Sequence, residues 1–167
     1  MVPTPFDELV AWSDPAMVIV TTVADGERSG CLVGFHAQCG MEPPRYAVWL
    51  SERNHTCRIG AAAQHFAVHW VPAARHDLAE LFGGTTGDEI DKFARCDWTE
   101  GPGGVPLLAG CPDRFVGRRI DWLEVDADHR CVVLEPVLAE RSGAATDVLR
   151  LAHATDIDPG HEATGAD

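Results

Sequence analysis

The sequence predicts a mainly β fold, a small closed or split β-barrel with helices packed outside it. About six segments are rich in β-branched or alternating apolar residues, and Gly, Pro and Asp-Gly turn signals separate them. Only two or three short segments have apolar residues at helical spacing. Strands that outnumber short helices in this way favour a sheet that closes on itself. The pattern alone leaves an OB-like barrel or a β-sandwich as alternatives.

The beginning of the chain predicts a helix followed by two antiparallel strands. Residues 6–12 have apolar positions at helical spacing, and Asp14-Pro15 ends that pattern. Residues 16–24 are rich in β-branched side chains and lead into Asp25-Gly26, a dipeptide typical of two-residue hairpin turns. We therefore expect residues 29–39 to form the second strand of a hairpin.

The remainder of the chain alternates strands and short helices without a regular βαβ order. A third strand over residues 46–50 follows the doubled proline Pro43-Pro44, and Asn54 or Thr56 is placed to cap a helix through residue 63. The further predicted elements are a strand at 65–71, a helix at 73–82, a short helix at 88–93, and strands near 114–125 and 131–140.

Length and composition predict one domain with a single core. With 167 residues, of which 46% are hydrophobic, the chain can bury about two-thirds of its unfolded surface. We place the barrel domain at residues 1–141, with its core at about 14–139. Residues 142–167 are predicted to form an acidic C-terminal tail that is partly disordered.

The charge balance argues against several classes of partner. Thirteen Lys and Arg residues against 26 Asp and Glu residues give a formal net charge of -13, which repels nucleic acid and anionic membranes. The N-terminal residues carry prolines and acids, and no apolar run of about eighteen residues occurs, so we expect a cytoplasmic protein. The six cysteines form no C-x-x-C pair, and no His or Cys spacing favours a metal site, so free thiols are expected.

The most informative segment is residues 29–44, SGCLVGFHAQCGMEPP, followed by RYAVWLS at 45–51 and NHT at 54–56. This segment resembles the signature of flavin reductases with the FMN-binding split-barrel fold. The likeness covers about residues 14–139 and rests on several moderate motifs in the right order. In that family, a strand of small residues, a Pro-Pro corner and a short polar loop form the wall against which the flavin lies.

The resemblance implies that residues of the second strand bind the flavin. Cys31 and Gly34 stand where the family usually has Thr and Ser, and Cys39 stands where another Ser is common. Hydroxyl hydrogen bonds would be lost there, although backbone N–H groups at Leu32, Val33 and Gly34 could still contact the pyrimidine edge of the ring. The alternative interpretation is an ordinary buried strand with small residues chosen for packing.

The polar loop and two further motifs complete the expected site. Asn54-His55-Thr56 matches the loop that approaches the ribityl-phosphate chain in the family, or else is a capped surface turn. Lys92-Phe93 resembles a pair near the flavin, with an exposed lysine beside a core phenylalanine as the alternative. Arg53 and Arg58 flank the loop with positive charge, and His36 is placed to line the flavin ring. His129 belongs to a turn that resembles the family's "G-D-H" turn, with Ala127 in place of the glycine, and is the candidate catalytic residue near the nicotinamide or flavin.

The function that the resemblance implies is NAD(P)H-dependent reduction of FMN or FAD, with reduced flavin delivered to a separate monooxygenase. It further implies a homodimer with the flavin near the interface. Because a flavin carries the redox chemistry itself, few catalytic side chains are needed. The alternatives are a cofactor-binding module without turnover, a deazaflavin-dependent reductase, and a ligand-free structural homologue.

Overall fold

The computed structural model describes residues 1–144 and 146–160. Within them, β-strand is the commonest secondary structure, and short helices lie outside the sheet. The strands are β1 (Val18–Ala24), β2 (Glu27–Val33), β3 (His36–Met41), β4 (Pro44–Ser51), β5 (His65–Trp70), β6 (Trp98–Glu100), β7 (Pro106–Leu108), β8 (Arg114–Glu124) and β9 (His129–Glu140). The α-helices are α1 (Pro5–Ser13), α2 (His55–Gly60) and α3 (His76–Gly83), and single 3-10 turns lie at Ala73–Arg75, Lys92–Arg95, Pro102–Gly104 and Leu151–His153.

Seven strands form one antiparallel sheet in the order β2-β1-β5-β8-β9-β4-β3. Its two edge strands, β2 and β3, are consecutive in sequence, so the sheet curls round until its edges approach each other. The expected hairpin turn is confirmed: Asp25 and Gly26 both have positive φ, 52° and 79°, and Ala24 pairs with Glu27 across them. The predicted barrel with peripheral helices is therefore the observed fold.

Strand β1 separates two hydrophobic cores, because alternate side chains of a strand point to opposite faces. Val18 and Val20 face the interior of the barrel, where they pack with residues of β4, β5 and β9 such as Leu50, Phe66 and Leu134. Residues Met17 and Ile19 face outward into a second cluster beneath α3. The outer cluster also contains Leu78, Phe82, Phe93, Leu108 and Leu149. Both faces of β1 are therefore buried.

Helix α1 forms for local reasons and packs little. Thr4 accepts a hydrogen bond from the Asp7 backbone N–H, Asp7 binds back to Thr4, and Pro5 opens the helix. At the other end, Asp14 adopts the left-handed conformation. No residue of α1 is buried, and the side chains of Phe6 and Trp12 are 72% and 85% exposed. The helix therefore presents an apolar surface to solvent.

Three expectations about local structure were wrong. The strand predicted over 29–39 is two strands that break at Gly34-Phe35, because the chain leaves its pairing with β1 and begins pairing with β4. The helix predicted at 88–93 is a single 3-10 turn at Lys92–Arg95. The hairpin of β6 and β7 was missed, because three-residue strands carry too few positions to show alternation.

Part of the segment after residue 141 packs against the barrel. Ala16 bridges Arg150, and Pro72 bridges Val148. The side chain of Leu149 is 2% exposed and belongs to the outer cluster. Ordered packing thus continues past the predicted domain boundary at residue 141, and of the tail predicted to be partly disordered, residues 142–167, the last seven lie outside the described residues. Among the described residues, no helix is long and apolar enough to cross a membrane.

Candidate functional site

The end of β4 and the start of β9 meet at one end of the barrel. Ser51 is the register partner of His129, and the backbone N–H of Glu52 donates to the Asp128 carbonyl at 3.0 Å. The ring of Phe35, which precedes β3, lies 5.1 Å from the His129 ring between centroids. The polar loop after β4, the candidate catalytic histidine and the start of β3 are therefore brought together, as the flavin-site hypothesis requires.

His129 is held by a neighbouring carboxylate. Its Nδ1 atom lies 2.7 Å from Oδ1 of Asp128, so a proton on Nδ1 is donated to that carboxylate and Nε2 is left for another partner. The hydrogen bond from His129 lowers the pKa of Asp128 below its usual value. The imidazole side chain remains 23% exposed at the end of the barrel. This geometry is suited to orienting an imidazole toward a bound ring.

The polar loop continues into α2, and its residues have different environments. Asn54 occupies the N-cap position, but its side chain makes no capping hydrogen bond. Thr56 is buried, and its hydroxyl lies 2.9 Å from the hydroxyl of Ser29 on β2. Asn54 thus holds the expected N-cap position without a side-chain capping bond, and Thr56 is not a cap, because its hydroxyl joins α2 to β2. Arg53 is exposed beside the loop, and its backbone N–H donates to the Ser51 hydroxyl at 3.4 Å.

A cavity of about 270 Å³ lies next to this loop. Three expected site residues, His55, Lys92 and Phe93, line it together. The other lining residues are Gly26, Glu27, Arg28, Ser29, Gly30, Gly87, Ile90 and Asp91. The β1–β2 turn, the start of α2 and the segment before the Lys92 turn thus enclose one polar space.

Lys92 is buried at the edge of this cavity, with only 5% of its surface exposed. Its Nζ donates to the carbonyl oxygens of Gly30 at 3.1 Å and Phe82 at 3.0 Å, and lies 5.5 Å from the Phe82 ring centre. Burial lowers the pKa of the Lys92 ammonium. Phe93 beside it is 7% exposed and packs against Phe82 and Trp98. The alternative of an exposed lysine is therefore wrong.

His55 joins three elements at the mouth of the cavity. Its Nε2 lies 2.9 Å from Glu27 of the β1–β2 turn, and its Nδ1 lies 2.9 Å from Asp88. Arg58 also pairs with Asp88, and this hydrogen bond lowers the pKa of that carboxyl. The basic groups near the cavity are thus partly neutralised by carboxylates of the same chain.

The side chains of β2 point mainly into the two cores. Cys31 is 2% exposed, and burial raises the pKa of its thiol to about 11, so it is a packed thiol and not a nucleophile. Val33 lies in the barrel core, and Leu32 packs in the outer cluster. A Cβ at Gly34 would meet Met17 at 3.5 Å, an ordinary contact. From Cys31 to Val33, only the backbone of this strand is therefore available to a ligand, whereas the side chains of Glu27 and Arg28 at its start are exposed at the cavity.

The two expected site residues on β3, His36 and Cys39, have different environments. Cys39 is exposed, at an irregularity in the pairing of β3 with β4. His36 is half-buried, and its ring nitrogens bond to the Tyr46 hydroxyl at 2.7 Å and the Ala16 carbonyl at 2.6 Å. His36 thus lies against Tyr46 and does not join the polar loop.

Sequence reasoning missed Phe35 and Ser29 as members of the site. Phe35 meets His129 only because β3 and β9 flank the same strand, β4. Ser29 reaches Thr56 across 27 residues of chain. No local pattern could have shown either contact. Among the described residues, no group of three or more His, Cys, Asp or Glu side chains is placed to hold a metal ion.

The chain belongs to the flavin reductase like domain family, whose sequence profile matches residues 14–154. It is 32% identical over 100 residues to the FMN reductase (NADH) RutF of Stutzerimonas stutzeri, covering 60% of this chain and 57% of the relative. It is 33% identical over 97 residues to HsaB, the reductase subunit of a flavin-dependent monooxygenase of Rhodococcus jostii, covering 56% and 47%. The chain thus spans about half the length of these curated relatives.

Solved structures support the fold. A crystal structure described as a putative flavin reductase from Haemophilus somnus superposes with a TM-score of 0.79 at 19% identity. The match covers 90% of this chain and 94% of that one. The flavin reductase split barrel predicted from the sequence is therefore confirmed.

Proposed function

We propose that this protein is a flavin reductase that uses NADH or NADPH to reduce FMN or FAD. The observation that carries the proposal is the convergence of the polar loop, His129 and the cavity of Lys92 at one end of a flavin reductase fold. The name of the Stutzerimonas relative, an FMN reductase that uses NADH, supports the same activity.

The residues present fit a flavin in two respects. The cavity of about 270 Å³ is polar, and the cations Arg28 and Lys92 line it beside the carboxylates of Glu27 and Asp91, so an anionic phosphate group would bind at the two cations. Phe35 and His129, which lie together where β9 begins beside the end of β4, offer two rings against which a planar ring system can pack. The pocket volume is below the usual range of about 300–1,000 Å³ for ligand sites, so one chain would enclose only part of the flavin.

The protein's own task in this reaction is placement. A flavin bound here would supply the redox chemistry of hydride transfer from a nicotinamide. The phosphate end would lie at the cavity lined by Arg28 and Lys92, Arg53 and Arg58 of the neighbouring polar loop would add positive charge there, and backbone N–H groups of β2 would fix the ring edge. His129, oriented by Asp128, would contact the ring or the nicotinamide with its Nε2 atom.

We further propose a homodimer in which the second copy completes the flavin site. Large apolar side chains are exposed on α1, at both ends of β3, and on or directly after the long strands β8 and β9. They are Phe6, Leu9, Trp12, Phe35, Met41, Ile120, Leu123, Val125 and Val137. Phe35 contacts His129, so part of this surface borders the proposed site. Sedimentation at micromolar concentration should give the mass of two chains, and a monomer would contradict the proposal.

A monooxygenase that consumes reduced flavin is the proposed partner, because the Rhodococcus relative is named as such a reductase subunit. We also propose a cytoplasmic location. All six cysteines are free thiols in the structure, which suits a reducing compartment.

The test is an absorbance spectrum of the protein after mixing with FMN and desalting, followed by NADH or NADPH without oxygen. Retained flavin bands that bleach would support the proposal. Arg53→Gln should weaken FMN retention, because it removes a cation at the phosphate end. Arg118→Gln is the matched control, since it removes an exposed arginine that pairs with Glu135 away from the loop.

A second candidate is a cofactor-binding module without turnover, favoured by the absence of the family hydroxyls at Cys31, Gly34 and Cys39. Flavin that is retained but stays oxidised with both nicotinamides would favour this module or a deazaflavin donor. No retention together with no turnover of free FMN or FAD would contradict both flavin proposals and favour a homologue that has lost its site.

A further inference from the structure

A second cavity of about 370 Å³ lies at the opposite end of the barrel from the flavin site. Strand β4 enters at Pro44 and Tyr46, which line this cavity, and ends at Ser51 in the polar loop. Strand β9 runs from His129 at the flavin site to Glu140 at this cavity. The strands therefore separate the two spaces, and none of the expected flavin-binding residues lines the second one.

Three aromatic rings form the floor of this cavity. Tyr46 lies 5.2 Å from Phe115 and 5.9 Å from Trp70 between ring centroids, both in edge-on geometry. Trp70 and Phe115 are 6.1 Å apart. Pro136, Ala139 and Val148 also line the space. Such a floor offers ring edges and faces to a planar ligand.

The charged groups at the rim are paired within the chain. Arg114 binds Glu140 at 2.6 Å, and Arg141 lies 3.6 Å from Asp113. Arg45 lies 3.3 Å from Glu135. Each of the three guanidinium groups that line the cavity thus already has a carboxylate, so a charged ligand would have to compete with an existing ion pair. The rim favours an uncharged ligand.

The hydrogen bonds of His36 determine whether the Tyr46 hydroxyl can donate or accept a further hydrogen bond. The Ala16 carbonyl only accepts, so Nε2 of His36 must carry a proton and donate to it at 2.6 Å. In the neutral ring, Nδ1 is then an acceptor, and the Tyr46 O–H donates to it at 2.7 Å. Burial lowers the pKa of His36, which favours this neutral form. The Tyr46 oxygen is left with acceptor capacity and no proton to donate elsewhere.

We propose that this second cavity binds a small, uncharged aromatic molecule that carries a hydroxyl group, a phenol. The aromatic floor packs against the ring, the paired rim disfavours an anion, and the Tyr46 oxygen accepts the hydrogen bond of the phenolic O–H. The volume of about 370 Å³ lies in the range of small-molecule sites and accommodates one or two rings. The proposal does not rest on the reductase activity.

The test is calorimetric titration of the protein with p-cresol at neutral pH, beside 4-methylanisole and p-toluate. Cresol should bind more tightly than methylanisole by about fivefold, the effect of one hydrogen bond. The p-toluate anion should bind least. Equal binding of cresol and methylanisole, or preference for the anion, would overturn the proposal, and so would no binding of cresol.

Two variants locate the site, and a third tests the hydrogen bond of Tyr46. Ala139→Phe fills the cavity from an exposed position opposite Phe115 and should abolish cresol binding. Ala74→Phe places the same ring at an exposed position outside the cavity lining and should leave binding unchanged. Tyr46→Phe should remove the preference for cresol over methylanisole. If Ala139→Phe still binds cresol, the ligand lies elsewhere. If the original protein binds no cresol and Ala139→Phe no longer self-associates, this face is instead an interface between copies of the chain.

FMN retention by the Ala139→Phe variant should match that of the original protein, because the two cavities lie at opposite ends of the barrel. This readout separates failure of the phenol proposal from failure of the flavin proposal.

Discussion

Replacing His69 should remove a large part of the protein's sensitivity to acid. This histidine is fully buried on β5, and both ring nitrogens are used. Nδ1 lies 3.0 Å from the Ile19 carbonyl oxygen, to which it donates, and Nε2 accepts from the Leu108 backbone N–H at 3.1 Å. The ring thereby joins β1, β5 and β7 in its neutral form. Protonation of Nε2 would break the bond to Leu108 and bury a charge.

The magnitude follows from the pKa of His69, which burial lowers from 6.5 to about 4. The unfolded chain takes up a proton as the pH falls below about 6.5, while the folded protein stays neutral until about pH 4. The unfolded state therefore binds more protons in this window, and the free energy of unfolding falls as the pH falls. The difference in pKa corresponds to a total of about 3 kcal/mol, of which about 2 kcal/mol is lost by pH 5.

The assay is urea unfolding at pH 7.5 and pH 5 of the original protein and of His69→Asn. The Asn amide can replace the Nδ1 donor and does not titrate. The original protein should lose about 2 kcal/mol more than the variant between the two pH values, because other titrating groups contribute equally to both. His153→Gln, at an exposed position, is the control and should keep the original pH dependence.

Parallel pH dependence in the original protein and His69→Asn would refute this reasoning. If the variant does not fold, the titration of His69 in the original protein decides the matter. Its imidazole nitrogen resonances should remain those of a neutral ring with the proton on Nδ1 at pH 5. A ring that is protonated at pH 6 would contradict the role assigned to burial.

Two further predictions concern packing between β2 and its neighbours, and both are measured by urea unfolding. Gly30→Ala should lower the free energy of unfolding by about 1–3 kcal/mol, because its Cβ would lie 2.8 Å from the Phe82 ring. Gly34→Ala, whose Cβ would meet nothing closer than 3.5 Å, should cost less than about 1 kcal/mol, and equal losses would contradict this account. Thr56→Val should cost about 1–2 kcal/mol, because it leaves the buried Ser29 hydroxyl without its partner. Adding Ser29→Ala to that variant should cost less than Ser29→Ala alone, and strict additivity would show that the two hydroxyls do not interact.

The candidate site could be predicted only in part. The motif predicted a polar loop that begins a short helix after the third strand, and α2 does begin at His55, shortly after Ser51, which is the register partner of His129. It could not show that Thr56 faces the core, since that depends on Ser29 of another strand. Lysine side chains are mostly exposed in proteins, which favoured an exposed Lys92, but two carbonyl oxygens from distant segments accept hydrogen bonds from its buried ammonium group.

The sequence by itself determined the elements whose signals are local. Helix α1 has its cap, its opening proline and its stop within ten residues, and the first hairpin has its turn in Asp25-Gly26. The mainly β class and the family are likewise predicted from residue patterns within short segments, without knowledge of contacts between distant residues. These features are fixed by steric and hydrogen-bonding preferences of neighbouring residues.

Only the tertiary structure shows where the chain stops pairing with one strand and begins pairing with another. The break at Gly34-Phe35 exists because β2 pairs with β1 and β3 pairs with β4. The short hairpin of β6 and β7 and the burial of Leu149 likewise depend on the outer core under α3. The second cavity is lined by residues of strands far apart in the chain and by Val148. Such features depend on contacts between distant segments, which the sequence pattern of any one segment does not contain.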